Sequence, residues 1–176
     1  YFDSGMFQQA SGESGCTGAD LVRRAQNVVM VRTFSKMGLA ALRVGWMYGP
    51  EAIVDAMNRL RGPFNVNYAA QLAAEAAARD QEFVAILKAH NDKWRQWLSD
   101  ELNSNQIRVL PSQGNFILAI FTQNGSAGAK RALAALAEKG LIVREMGAYG
   151  LPAALRISIG SEQAMKRVGA ILKGLS

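Results

Sequence analysis

The chain has 176 residues, 49% of them hydrophobic and 19% charged, with a net charge of +6; this suits one ordinary domain or two small ones with a real core and excludes global disorder. Cys16 and His90 are the only cysteine and histidine, so an intramolecular disulfide, a cysteine-based metal site and a histidine cluster are all excluded, and no metal is expected. Lysines and arginines are scattered without a dense run, and the longest apolar runs, such as Phe116 to Phe121, are too short to span a bilayer, so neither nucleic acid nor membrane is expected as a partner. An enzyme for anionic metabolites fits the positive balance. Tyr1 is not an initiator methionine, and no basic segment followed by an apolar one comes after it; a chain that begins inside a longer protein has the same appearance.

Residues 3–18, rich in Gly, Ser and Gln, read as a surface loop. Asp20 reads as the N-cap of a short helix from Leu21 to Ala25. Asn27 to Phe34 carries apolar residues on both faces, the pattern of a strand buried in a parallel sheet. From Phe34 to Leu42 the connection holds seven residues, too few for a parallel crossover. The run Leu42 to Trp46 is therefore expected to return antiparallel. Lys36 then sits in a wide hairpin loop at the carboxyl end of a strand, the edge at which α/β sheets collect ligands.

Pro50 stands near the first position of a helix whose apolar face is Ile53, Val54, Met57 and Leu60, and Gly62-Pro63 stops it. A second helix is expected from Tyr68 to about Arg79, with Asn65 and Asn67 read as turn residues. From about Asp80 a long amphipathic helix carries Phe83, Leu87, Trp94, Leu98 and Leu102 at helical spacing. His90 lies on that stripe beside Leu87 and Trp94 and reads as a packing residue. Strands at Ile107 to Leu110, Asn115 to Phe121, Leu141 to Glu145 and Leu155 to Ile159 surround a helix from about Ala127 to Lys139, closed by Gly140. A last helix, Ser161 to Leu172, has Glu162 in its first turn. This second half reads as an α+β unit with a small, largely antiparallel sheet.

Lys36 carries the chemistry. A lone lysine is usually a solvated surface residue, but this one follows an apolar strand and is flanked by Ser35 and Gly38. A lysine amine attacks a carbonyl only when neutral, a form that a neighbouring cation favours. Arg43, expected across the hairpin from the Lys36 loop, is the candidate cation and can grip a phosphate through its fork. Ser35 and Thr33 could add hydroxyl donors. For Arg144 and Arg156 the plain reading is a solvent-facing strand arginine.

The segment Arg32-Thr33-Phe34-Ser35-Lys36-Met37-Gly38-Leu39-Ala40-Ala41-Leu42-Arg43-Val44-Gly45 resembles the lysine signature of fold-type I pyridoxal-phosphate aminotransferases, and among them the histidinol-phosphate aminotransferases. Arg61-Gly62-Pro63-Phe64-Asn65-Val66-Asn67, Pro111-Ser112-Gln113-Gly114-Asn115-Phe116 and Leu155-Arg156-Ile157-Ser158-Ile159-Gly160 match the same family in order. The resemblance implies an α/β fold. Residues 1–79 would be the C-terminal portion of the cofactor-binding large domain, a mostly parallel sheet with an antiparallel strand after the lysine loop; residues 80–176 would be a small α+β domain. It implies pyridoxal 5'-phosphate as cofactor, with Lys36 as its Schiff-base lysine and Ser35, Arg43 and Thr33 on its phosphate. Tyr1 matches the tyrosine on the cofactor's ring oxygen. Arg156 matches the arginine that binds the acidic end of the substrate, Arg144 a second arginine for the substrate phosphate, and Asn115 a residue at the junction of the two domains.

The implied reaction exchanges an amino group between L-histidinol phosphate and 2-oxoglutarate in histidine biosynthesis, by a cytoplasmic enzyme that is a homodimer when full length. An aromatic amino-acid aminotransferase, or a threonine-phosphate decarboxylase on the same scaffold, stays open as an alternative, and more remotely a transcription regulator with such a domain. The chain departs from the family pattern in two ways. Only Met37 separates Lys36 from Gly38, where many relatives have two residues. The family's aspartate on the pyridine nitrogen, its asparagine on the ring oxygen and its glycine-rich phosphate loop have no counterpart, so the chain by itself is expected to be a catalytically incomplete fragment.

Overall fold

Residues 18–175 are described by the computed structural model, which falls into two units, one reaching to Leu87 and the other starting at Lys88. In the first unit, helix α1 (Gly18–Arg24) begins before the expected start. Asp20 lies inside its first turn, where it accepts a 2.7 Å hydrogen bond from Arg23, and is therefore not the N-cap. Strand β1 (Met30–Thr33) pairs antiparallel with β2 (Gly45–Tyr48), in a register that sets Met30 against Tyr48 and Thr33 against Gly45. The short connection does return antiparallel, as loop length dictates.

Helices α2 (Glu51–Leu60) and α3 (Tyr68–Arg79) follow. Pro50 immediately precedes the first of them. Asn67 caps the second, its side-chain oxygen accepting the Ala70 N–H at 2.8 Å; the turn reading of that asparagine is thereby given a partner. Ala70 and Ala74 of α3 pack with Phe34 and Val44, and Met37, Leu39 and Leu42 close around them. The small alanines let the helix approach the hairpin loop and fix it from one side. Asn67→Ala removes the cap and is expected to cost about 1 kcal/mol, read as a lower denaturant midpoint, whereas Asn67→Asp should keep most of it.

One expectation is corrected here. The hairpin is a two-stranded sheet, and every strand pairing among the described residues is antiparallel, so these residues do not form a mostly parallel sheet. Nor is β1 buried on both faces: Val31 is 70% exposed. An apolar run records what a strand tends to bury, but the described residues supply β1 with a single neighbouring strand.

Helix α4 (Gln81–Ser104) leads from the first unit into the second, with Asp80 accepting the Phe83 N–H at its start. Its buried stripe is narrower than the spacing suggests, since Trp94, Leu98 and Leu102 are buried while Phe83 is 44% exposed. The second unit holds a four-stranded antiparallel sheet in the order β3 (Ile107–Val109), β4 (Phe116–Phe121), β6 (Ala154–Ser158), β5 (Arg144–Glu145). Helices α5 (Gly125–Glu138) and α6 (Glu162–Lys173) complete it. Gly140 adopts a left-handed φ of 71° just past α5, the helix stop that its position suggests. Ser161 caps α6, and in its first turn the hydrogen bond and charge of Lys166 hold the Glu162 carboxyl below its ordinary range.

Burial alternates along β4. Ile117, Ala119, Leu155 and Ile157 join Leu98, Leu102, Leu136, Val168 and Leu172 in the core. The alternate positions, Phe116, Leu118 and Ile120 on β4 with Arg156 and Ser158 on β6, share the other face of the sheet.

Candidate active site

The hairpin loop is built from two single-turn 3-10 segments, Ser35–Met37 and Ala40–Leu42, which lie against one another. Its base is closed by the Phe34 N–H bonded to the Val44 carbonyl. Two glycines make the path possible. Gly38 takes a φ of 86° between the turns, and a Cβ on Gly45 would stand 2.5 Å from the Arg32 carbonyl oxygen, a separation no side chain tolerates.

Lys36 sits in the first turn and is exposed. Beside it the Thr33 hydroxyl donates to Ser35 Oγ at 2.8 Å and accepts the Ser35 N–H at 3.0 Å, so the Ser35 hydroxyl hydrogen is left for another acceptor. Arg43 ends the second turn in the left-handed region, φ 54° and ψ 48°, a conformation that costs a non-glycine residue about 1–2 kcal/mol. One of its N–H groups bonds the Ala40 carbonyl at 2.7 Å. The loop thus gathers an amine, two linked hydroxyls and a guanidinium, and among the described residues no carboxylate pairs with its two cations. An open cleft of about 490 Å³ beside the hairpin is lined by Phe34, Val44, Trp46, Arg61 and Asn65 among others and does not include Lys36. Tyr1 lies outside the described residues.

In the second unit, Arg144 on β5 stands directly opposite Arg156 on β6. Like charges in that register repel, and neither arginine has a carboxylate partner among the described residues. The Arg156 Nε is buried with no hydrogen-bond partner; its guanidinium lies 5.1 Å from the centre of the Phe116 ring. The Arg144 guanidinium lies 6.0 Å from the ring of Tyr149. Two unneutralised cations on one sheet face can receive a doubly charged anion.

Asn115 precedes β4, and its carbonyl accepts the Ile159 N–H at 2.9 Å. The loop before it is clamped by residues that sequence reading passed over. Asn91 and Arg95 of α4 each donate to the Gly114 carbonyl at 3.2 Å, and Ser112 donates to the Phe116 carbonyl at 2.6 Å. Asp92 pairs with Arg95 at 2.9 Å. His90 is more than packing, because its Nε2 bonds the Gly160 carbonyl, 70 residues away, at 2.8 Å. The available signal was a set of polar residues, His90, Asn91 and Arg95, interrupting the stripe of α4. Among the described residues no group of three His, Cys, Asp or Glu side chains could hold a metal ion.

Comparison with known proteins matches residues 2–172 to the family described as aminotransferase class I and II. The chain belongs to that family. Within it, the chain is 50% identical over 152 residues to the histidinol-phosphate aminotransferase of Nitrobacter winogradskyi, covering 86% of this chain and 42% of that protein. To the histidinol-phosphate aminotransferase of Rhodospirillum rubrum it is 48% identical over 161 residues, 89% of this chain and 44% of that one. The solved histidinol-phosphate aminotransferase of Sinorhizobium meliloti, in complex with pyridoxal-5'-phosphate, superposes with a TM-score of 0.77 at 26% identity, covering 85% of this chain and 41% of that one. This member of the aminotransferase family therefore spans less than half the length of the curated relatives it matches.

Proposed function

We propose that the chain is the C-terminal part of a pyridoxal-5'-phosphate-dependent enzyme that moves the amino group of L-histidinol phosphate to 2-oxoglutarate, yielding imidazole acetol phosphate and glutamate. The observation that carries this reading is the half-identity to histidinol-phosphate aminotransferases over 86% of the chain. The unneutralised arginine pair on the second unit is consistent with a substrate that bears a phosphate. Residues up to about 79 are read as the end of the cofactor-binding domain and residues from 80 onward as the small domain. The mostly parallel sheet would lie chiefly in the part of the relatives' length that this chain does not span. A homodimer and a cytoplasmic location belong to the same reading. Among the described residues no helix is long and apolar enough to cross a membrane.

The residues of the hairpin loop fit the cofactor. The Ser35 hydroxyl and the Arg43 N–H groups not used on Ala40 would hold its phosphate, with Thr33 fixing the serine. When bound, pyridoxal phosphate supplies an electron sink for the pair left behind as the substrate carbon loses its proton. Lys36 would hold the cofactor through its side-chain amine. When free, that amine would collect the proton as general base and deliver it as general acid. Arg156, with Arg144 opposite, would bind the substrate phosphate in one half-reaction and a glutamate carboxylate in the other, because a planar fork of N–H donors accepts either anion. Asn115 would stand near the substrate.

The test is product analysis with the full-length protein. Histidinol phosphate with 2-oxoglutarate is expected to give glutamate faster than an aromatic amino acid does. Faster transfer from phenylalanine or tyrosine would assign an aromatic aminotransferase instead, and carbon dioxide released from threonine phosphate would assign a decarboxylase.

A further inference from the structure

An arginine that receives an anion has to be held in place without spending its donors or its charge. A carboxylate partner orients a guanidinium well, but it occupies two N–H groups and cancels the charge that the ligand needs. Among the described residues Arg156 has no such partner, and its buried Nε has no hydrogen-bond partner. What lies against the guanidinium is the Phe116 ring, 5.1 Å from ring centre to the central carbon, inside the range over which an aromatic face attracts a cation. The β4–β6 register pairs Phe116 with Ser158 and Leu118 with Arg156, so ring and guanidinium are diagonal neighbours on one face. The backbone that carries the ring is anchored. Ser112 bonds the Phe116 carbonyl, the Asn115 carbonyl is bonded by Ile159, and Gly114 is gripped from α4 by Asn91 and Arg95.

We infer that Phe116 is the positioning residue for Arg156: its ring fixes the guanidinium plane while leaving charge and N–H groups available to the anionic end of the substrate. This rests on the role given to Arg156 above. Nothing in the arrangement asks Phe116 to touch the reacting atoms, so its effect should fall on anion affinity and not on turnover.

The experiment compares Phe116→Leu, Phe116→Tyr and Arg156→Met in the full-length enzyme, with the visible absorbance of bound cofactor as a check on folding. Inorganic phosphate, as a competitive inhibitor, is the affinity probe. Phe116→Leu is expected to raise KM for histidinol phosphate and the inhibition constant for phosphate by about 2- to 5-fold, the span of a lost cation–ring contact, with kcat within about twofold. Phe116→Tyr, which keeps the ring face, should stay near the parent in both. Unchanged KM and phosphate inhibition in Phe116→Leu, alongside a rise in Arg156→Met, would overturn the positioning role and leave that of Arg156 standing. Unchanged values in Arg156→Met would overturn both. Equal losses in the leucine and tyrosine variants, kcat included, would mark Phe116 as structural only. If the leucine variant loses its fold, Phe116→Met makes the same comparison.

Discussion

Lys36→Ala in the full-length enzyme is expected to remove the visible absorbance of covalently held cofactor and to lower amino exchange by about 10²- to 10⁴-fold, the usual loss when a positioned proton-transfer group is deleted. Stability should hardly change. Lys36 is exposed in a turn whose shape is set by backbone bonds and two glycines, and such surface substitutions stay within about 0.5 kcal/mol. The paired measurement matters because the rival explanation of any lost activity is a collapsed loop. A Lys36→Ala protein that unfolds at a markedly lower temperature would mean that the lysine holds the turn together. A variant that keeps both absorbance and exchange would remove Lys36 from the chemistry altogether, leaving Arg43 and Ser35 as ordinary loop residues.

That lysine loop was legible because its determinants are local. Seven residues between apolar runs dictate an antiparallel return, and Gly38 and Gly45 stand where the chain needs a left-handed turn and a close backbone approach. The small sheet was legible too, since its strands are separated by turns and helices with ordinary stop signals. Boundaries were less so. The strand expected from Asn27 to Phe34 is Met30–Thr33, because hydrophobicity says where a strand would be welcome while pairing partners decide where it forms. Parallel pairing is missing among the described residues for a related reason, as periodicity does not say which segment provides a strand's neighbours.

The polar clamps of the second unit were illegible for a different reason. Asn91 and Arg95 reach a carbonyl 23 and 19 residues away, and His90 one 70 residues away. Side-chain to backbone bonds of that span show in local spacing only as polar residues interrupting the α4 stripe, with nothing to name the carbonyl that each one reaches. Motif resemblance found the loops that they hold, Gly114-Asn115-Phe116 and Ile159-Gly160, without the helix that holds them. Motif reading likewise named Arg144 and Arg156 singly. Their direct opposition depends on the β5–β6 register, which a sequence without a short hairpin turn between the strands does not specify.

That opposition carries the second large effect. Arg156→Met is expected to raise KM for histidinol phosphate by about 10- to 100-fold, equivalent to about 1.5–3 kcal/mol for hydrogen bonds to a charged group, while leaving cofactor absorbance near the parent. The same substitution should leave the second unit as stable or make it more stable by about 1 kcal/mol. Among the described residues, the buried Arg156 Nε has no hydrogen-bond partner, at a cost of about 1–3 kcal/mol, and Arg156 faces the like charge of Arg144 across the strands. Methionine fills similar space, keeps an apolar contact with Phe116 and has neither liability. Loss of the attraction to the Phe116 ring, about 0.5–1 kcal/mol at a partly exposed site, offsets part of the gain. Stability rising as affinity falls is the signature of a residue kept for its ligand and not for the fold. An ordinary strand arginine would give the opposite result, with KM unmoved and thermal unfolding unchanged or earlier. Arg144→Met divides the remaining credit: exposed on a two-residue edge strand, it should raise KM less than Arg156→Met does, and the double variant should fall short of the sum if both cations grip one anion.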